Sequence, residues 1–88
     1  MDISVGSIVR SIAGRDKGDD FIVLAFDDDF VYLANGELRK VDSPKKKKLK
    51  HVQVSGKVSE FIANKLNNVG KVTNSEVRKA LAELVSAN

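Results

Sequence analysis

A small, mainly β domain, a barrel of short strands with a helical pair packed on its flank, is the fold class that the sequence predicts. Three observations carry it. Residues 1–54 consist of short β-branched and aromatic runs separated by glycine- and aspartate-rich turns. After Ser55-Gly56 the apolar spacing switches to a helical period. The two helical stretches are too short to be stable alone, so their apolar stripes must pack on the strands.

The elements follow in order. Ser7-Ile8-Val9-Arg10-Ser11-Ile12 is a β-branched run with partial alternation, bounded by Gly6 and Gly14, and reads as the first strand. Phe21–Phe26 is continuously apolar, which predicts a strand covered on both faces. Asp27-Asp28-Asp29 breaks the pattern as an acidic turn. It lacks the alternating ligand spacing and distal Glu of a calcium loop. Phe30–Ala34 is the third strand. Asn35-Gly36 is the pair that a two-residue type I′ hairpin prefers, so Glu37–Val41 is expected to return as the fourth. His51-Val52-Gln53-Val54 is expected to close the barrel.

In the second half Val58, Phe61, Ile62, Leu66 and Val69 recur at helical spacing, with Gly70 as the stop. Thr73-Asn74-Ser75-Glu76 has the form of a capping box. Behind it Val77, Leu81, Leu84 and Val85 form an apolar stripe, while Arg78, Lys79 and Glu83 are expected to face water. The surface expected to receive both stripes is Phe21–Phe26. Residues 1–54, including a basic segment at 44–51, would be the barrel, and 55–88 a helical extension of the same folding unit.

Eighty-eight residues suffice for one modest core. The chain has no Cys, which excludes disulfides and thiolate metal sites. No apolar run approaches the roughly 20 residues of a membrane span, and Met1–Val5 lacks the basic start and apolar stretch of a signal peptide. The expectation is a soluble, cytoplasmic protein.

Charge is the most informative property. The formal net charge of +3 hides an internal division. Residues 1–42 hold five Lys/Arg against nine Asp/Glu, whereas residues 43–57 hold six lysines and no acid. Five of those lysines fall within Lys45–Lys50. Positive charge so concentrated is the footprint of a polyanion partner, most commonly RNA or DNA. The candidate contacts are Lys45, Lys46, Lys47, Lys48, Lys50 and His51. Arg15, Lys17, Arg39 and Lys40 are secondary candidates. Arg15 and Lys17 sit on a tight loop bracketed by Gly14 and Gly18, but Asp16, Asp19 and Asp20 among them would repel phosphates unless turned away or paired. A plain solvated loop or a transport signal are the alternatives for the lysine run. An anionic membrane fits the lysines but lacks an adjacent amphipathic anchor.

Five aromatic residues are available for base stacking. Phe21, Phe26, Phe30 and Phe61 fall within core patterns, which leaves Tyr32 as the sole candidate for exposed stacking. Contact with RNA shape and backbone is therefore favoured over reading of bases. No phosphate-binding loop and no HExxH zinc motif is present, and His51 has no nucleophile at recognisable spacing. An enzyme, a metal and a cofactor are not expected.

Gly6, Val9, Gly14, Lys17 and Gly18 match the spacing of the KOW motif, which occurs in SH3-like barrels of ribosomal proteins and transcription elongation factors. Ala13-Gly14-Arg15-Asp16-Lys17-Gly18, Phe21-Ile22-Val23, Asn35-Gly36-Glu37-Leu38-Arg39-Lys40 and Pro44-Lys45-Lys46-Lys47 with Lys50-His51 extend the match. Together they resemble the KOW domain of the fourteenth large-subunit ribosomal protein of archaea and eukaryotes and its small stand-alone bacterial relatives. The resemblance covers residues 3–54, and Asn74–Leu81 is similar to the bacterial form. It implies an SH3-like barrel that binds ribosomal or ribosome-associated RNA, with Asp19 and Asp20 standing where a basic or neutral residue would suit an RNA-facing loop. The expectation is thus a monomeric, non-catalytic RNA-binding module, with ribosomal proteins as secondary partners and no membrane. The alternative is a protein-interaction module whose acidic half docks a basic ribosomal or transcription protein.

Overall fold

The computed structural model describes residues 3–85. Five strands, β1 (Ser7–Ser11), β2 (Asp20–Phe26), β3 (Phe30–Ala34), β4 (Lys45–Lys48) and β5 (Val52–Val58), precede two helices, α1 (Glu60–Asn68) and α2 (Asn74–Val85). The strands form one antiparallel sheet in the order β4-β3-β2-β1-β5. Its two edge strands are therefore consecutive in the chain. The 3-10 turn Leu49–His51 joins them. That turn is fastened at both ends: the Leu49 N–H donates to the Asp29 carbonyl and the Ile12 N–H to the His51 carbonyl, each at 2.9 Å.

Strand β2 divides the core, as its unbroken apolar run requires. Phe21 and Val23 join Val9, Val31, Leu33 and Val52 on one side of the sheet. Ile22 joins Ile8, Ile62, Val72, Val77 and Ala80 on the other, with Leu24 packed alongside. Burying each such side chain is worth about 1.5–3 kcal/mol, and β2 contributes to both clusters from adjacent positions. Two-sided cover ends at Leu24. Past a register irregularity between Val23 and Ala25, both Ala25 and Phe26 are exposed.

The helices begin and end where local chemistry dictates. The Ser59 hydroxyl accepts from the Ile62 N–H to cap α1. Its end is closed by Gly70, whose N–H shares the Lys65 carbonyl with that of Val69 and whose φ is +90°. The capping box of α2 is reciprocal: the Glu76 N–H donates to Thr73 Oγ1 at 3.1 Å, and the Thr73 N–H to Glu76 Oε1 at 2.8 Å. Lys65 pairs with Glu76 and links the two helices. Among the described residues no helix is long and apolar enough to cross a membrane.

Several expectations are corrected. The returning strand at Glu37–Val41 does not form. A type I′ turn needs positive φ at both central residues, and among the described residues only glycines have it. Asn35 instead turns its Oδ1 onto the N–H groups of Glu37 and Arg39, at 3.0 Å each, and opens an irregular loop. The fourth strand is the lysine run itself. Strand β5 runs on to Val58, so the sheet continues across the division expected at residue 54, and Val58 belongs to it rather than to a helix. Phe61 and Val69 are exposed, because the inward face of α1 is set by Ile62 and Leu66. Arg78 does not simply face water: its guanidinium donates to the Gly36 carbonyl at 2.6 Å.

That last contact shows how α2 is seated. Gly36 is buried with φ +79°, and a Cβ there would collide with the Asn74 carbonyl oxygen and with Arg78 Cγ. Asn74 Oδ1 in turn accepts from the Val41 N–H at 2.8 Å. Gly36→Ala should therefore destabilise the fold by at least about 2 kcal/mol, read as a lowered urea midpoint. An unchanged midpoint would show that α2 does not depend on close approach to this loop.

Candidate nucleic-acid interface

A strand made of four lysines defies β propensity, so its pairing must be imposed by its surroundings. Pro44 precedes it at the position where proline is tolerated at a strand. Lys45, Lys46, Lys47 and Lys48 pair with Leu33, Tyr32, Val31 and Phe30 of β3. Because side chains alternate across the pleat, the run is divided in two. Lys45 and Lys47 share the face of buried Leu33 and Val31. Lys46 and Lys48 share the opposite face, that of Tyr32 and Phe30, both half-buried.

Lys47 is only 8% exposed. Its aliphatic stem lies along the core and its Nζ donates to the Ala13 carbonyl and to Asp16 Oδ1, each at 2.8 Å. Asp16 Oδ1 also accepts from Ser11 Oγ at 2.7 Å. The buried Asp16 Oδ2 makes no hydrogen bond among the described residues and faces the Lys45 ammonium at 3.6 Å. Burial alone would raise the Asp16 pKa, but the hydrogen bonds from Lys47 and Ser11 and the two lysine charges outweigh it, holding the carboxyl at about 2. Lys46 on the outer face places its Nζ over the Phe30 ring, 4.2 Å from the centroid.

The loop from Ala13 to Asp19 is closed by backbone hydrogen bonds, with Gly14 and Gly18 at φ +84° and +93°. Arg15 and Lys17 are exposed on it. The neighbouring acids are largely engaged: Asp16 turns inward, and Asp20 receives a two-pronged contact from the Arg10 guanidinium at 2.9 and 3.1 Å. Asp19 is exposed. At the far end of β2 the Asp27 carboxylate accepts from the N–H groups of Asp29 and Phe30, which lowers its pKa and makes the acidic run an Asx-type turn. Among the described residues no three His, Cys, Asp or Glu side chains come together as a metal site.

The candidate residues thus fall into groups. Lys46, Lys48 and Lys50 are exposed along β4 and the turn after it, and His51 is half-buried there. Arg39 and Lys40 are exposed on the loop that leads into β4. The Lys47–Asp16 contact brings the Arg15–Lys17 loop against β4. Lys45 and Lys47 are occupied with Asp16. No local signal announces this counter-ion, which lies 31 residues from its lysine. The phenylalanines expected in the core also divide. Phe21 is buried, Phe30 is half-buried beside the lysines, and Phe26 and Phe61 are exposed.

The Asp16 site sets an acid limit on stability. Its carboxyl is at about 2 in the fold against 3.8 as a free group, so the stabilisation is present above about pH 4 and lost as pH falls through about 2. The loss expected from this group is about 2 kcal/mol. Asp16→Asn should be less stable at neutral pH and should flatten that limb of a chemical-denaturation series. A parallel limb in the variant would assign the acid sensitivity elsewhere. No model of a known protein family matches this chain, and no curated protein matches it either.

Proposed function

We propose that this protein is a non-catalytic RNA-binding module acting in the cytoplasm. It engages the backbone of structured RNA, ribosomal or ribosome-associated, through the outer face of β4 and the turn that follows. One observation carries this reading: Lys46, Lys48 and Lys50 are exposed at intervals of two along a hydrogen-bonded edge strand and its turn, in a segment without acids from residue 43 to 57. Lysines held on a strand contact successive phosphates and release counterions without first losing the freedom of a loose tail. Arg39 and Lys40, exposed on the loop that leads into β4, and Arg15 and Lys17, exposed on the loop held by Lys47, are secondary contacts. Lys45 and Lys47 act indirectly, by holding the strand to Asp16.

We read the scaffold as an SH3-like barrel of the KOW type. The order β4-β3-β2-β1-β5, with a short 3-10 turn linking the two edge strands, supports this, as does one core cluster that draws Val52 of β5 together with Val31 and Leu33 of β3. The positive φ of Gly6, Gly14 and Gly18, at the glycines of the motif, supports it further. The protein-docking alternative through the acidic half is weakened, because Asp16 and Asp20 are engaged internally.

Lys46→Glu with Lys48→Glu should lower affinity for an RNA stem-loop at least tenfold in fluorescence anisotropy at low ionic strength, with the fold intact by circular dichroism. For the parent, three contacts at roughly 0.7 each give a slope of log affinity on log salt of about −2 or steeper. A flat salt response, or binding indifferent to the double reversal, would overturn the proposal.

A further inference from the structure

The helical pair covers only part of the outer face of the sheet. Ile22 and Ala34 lie beneath it, whereas Tyr32, Lys46 and Lys48 lie beyond its edge. Where cover stops, the end of α1 and the connection to α2 bound a groove of about 580 Å³ against β2 and β3. Tyr32, Pro44, Leu66 and Val72 wall it, with Asp42 and Lys71 at its polar margin. Its volume falls within the range of small-ligand clefts, roughly 300–1,000 Å³.

We infer that this groove receives one unstacked nucleobase of the bound RNA, an inference that rests on the RNA reading above. Charge and shape select this occupant. Tyr32 is the cross-strand partner of Lys46, so an aromatic wall and a phosphate-contacting lysine stand side by side on one face. Lys71 supplies a second cation on the groove itself. A nucleotide has the matching layout, a flat apolar base flanked by phosphates one residue apart along the strand. Asp42 sets the orientation. Its carboxylate repels phosphate but accepts from the amino and imino N–H groups of a base edge, so the base enters and the phosphates remain on the lysines. The partner is thus a paired RNA stem that presents a bulged or loop nucleotide, for which guanosine, with two donors on one edge, is the suited base.

Tyr32 is the single tyrosine of a chain without tryptophan, so its ring is a unique spectroscopic reporter. Two probes separate this inference from the reading beneath it: a blunt-ended RNA duplex without a loop that carries one bulged guanosine, and the same duplex fully paired. The Tyr32 ring protons should shift on NMR titration with the bulged RNA and stay in place with the paired one. The bulged RNA should bind at least about fivefold more tightly, a preference that Tyr32→Ala abolishes and Tyr32→Phe retains. If both RNAs bind equally and the ring does not respond, the groove belongs to another occupant such as a protein side chain, and the inference falls while the RNA reading stands. If neither RNA binds the parent protein, both fall together.

Discussion

The contact between Lys47 and Asp16 is the constraint on which the rest depends. It joins the edge strand β4 to the loop between β1 and β2, and it does so with an ammonium 8% exposed and a carboxylate 13% exposed. A pair so buried is stabilising only when its remaining hydrogen-bonding capacity is met. Here the Ala13 carbonyl and the Ser11 hydroxyl meet most of it. The pair also answers a problem peculiar to this strand. Four identical residues carry no register information of their own, and a slip of one would exchange the inward and outward sets. Asp16 demands a lysine on the inner face. Pro44 at one end, and the Leu49 N–H on the Asp29 carbonyl at the other, determine which lysine that is.

The consequence is a division of labour within one cationic run. Inward lysines stabilise the fold, and outward lysines form a charged row of fixed spacing. The same charges discourage pairing of the β4 edge with another strand, a protection that exposed edges require. The helices contribute by what they leave bare. By covering Ile22 and Ala34 but stopping short of Tyr32, they leave a groove beside the outward lysines on an otherwise flat face.

How much of this was legible in the chain depended on how local the cause was. The Thr73–Glu76 capping box, the Gly70 stop and the Asp27 turn each arise within a few residues, and each reads directly; the two-faced cover expected over Phe21–Phe26 holds only as far as Leu24. The lysine cluster was legible as charge but not as structure. Propensity argues against a strand of lysines, and what imposes one is a carboxylate 31 residues away. Asn35-Gly36 misled for a related reason. Its local hairpin grammar yields to the seating of α2, which uses Gly36 for close approach and leaves Asn35 at negative φ. Phe26, Phe30 and Phe61 show that apolar character does not by itself decide a face. An irregularity after Val23 turns Phe26 outward, and α1 buries Ile62 in place of Phe61.

The division between inward and outward lysines is tested most directly by NMR of the lysine ammonium groups during titration with an RNA stem-loop. The Lys47 ammonium should exchange its protons slowly, as a buried donor does, and keep its chemical shift throughout, while those of Lys46 and Lys48 exchange rapidly and move on binding. A Lys47 ammonium that exchanges as fast as its neighbours and shifts with them would contradict the division, and with it the surface built on it.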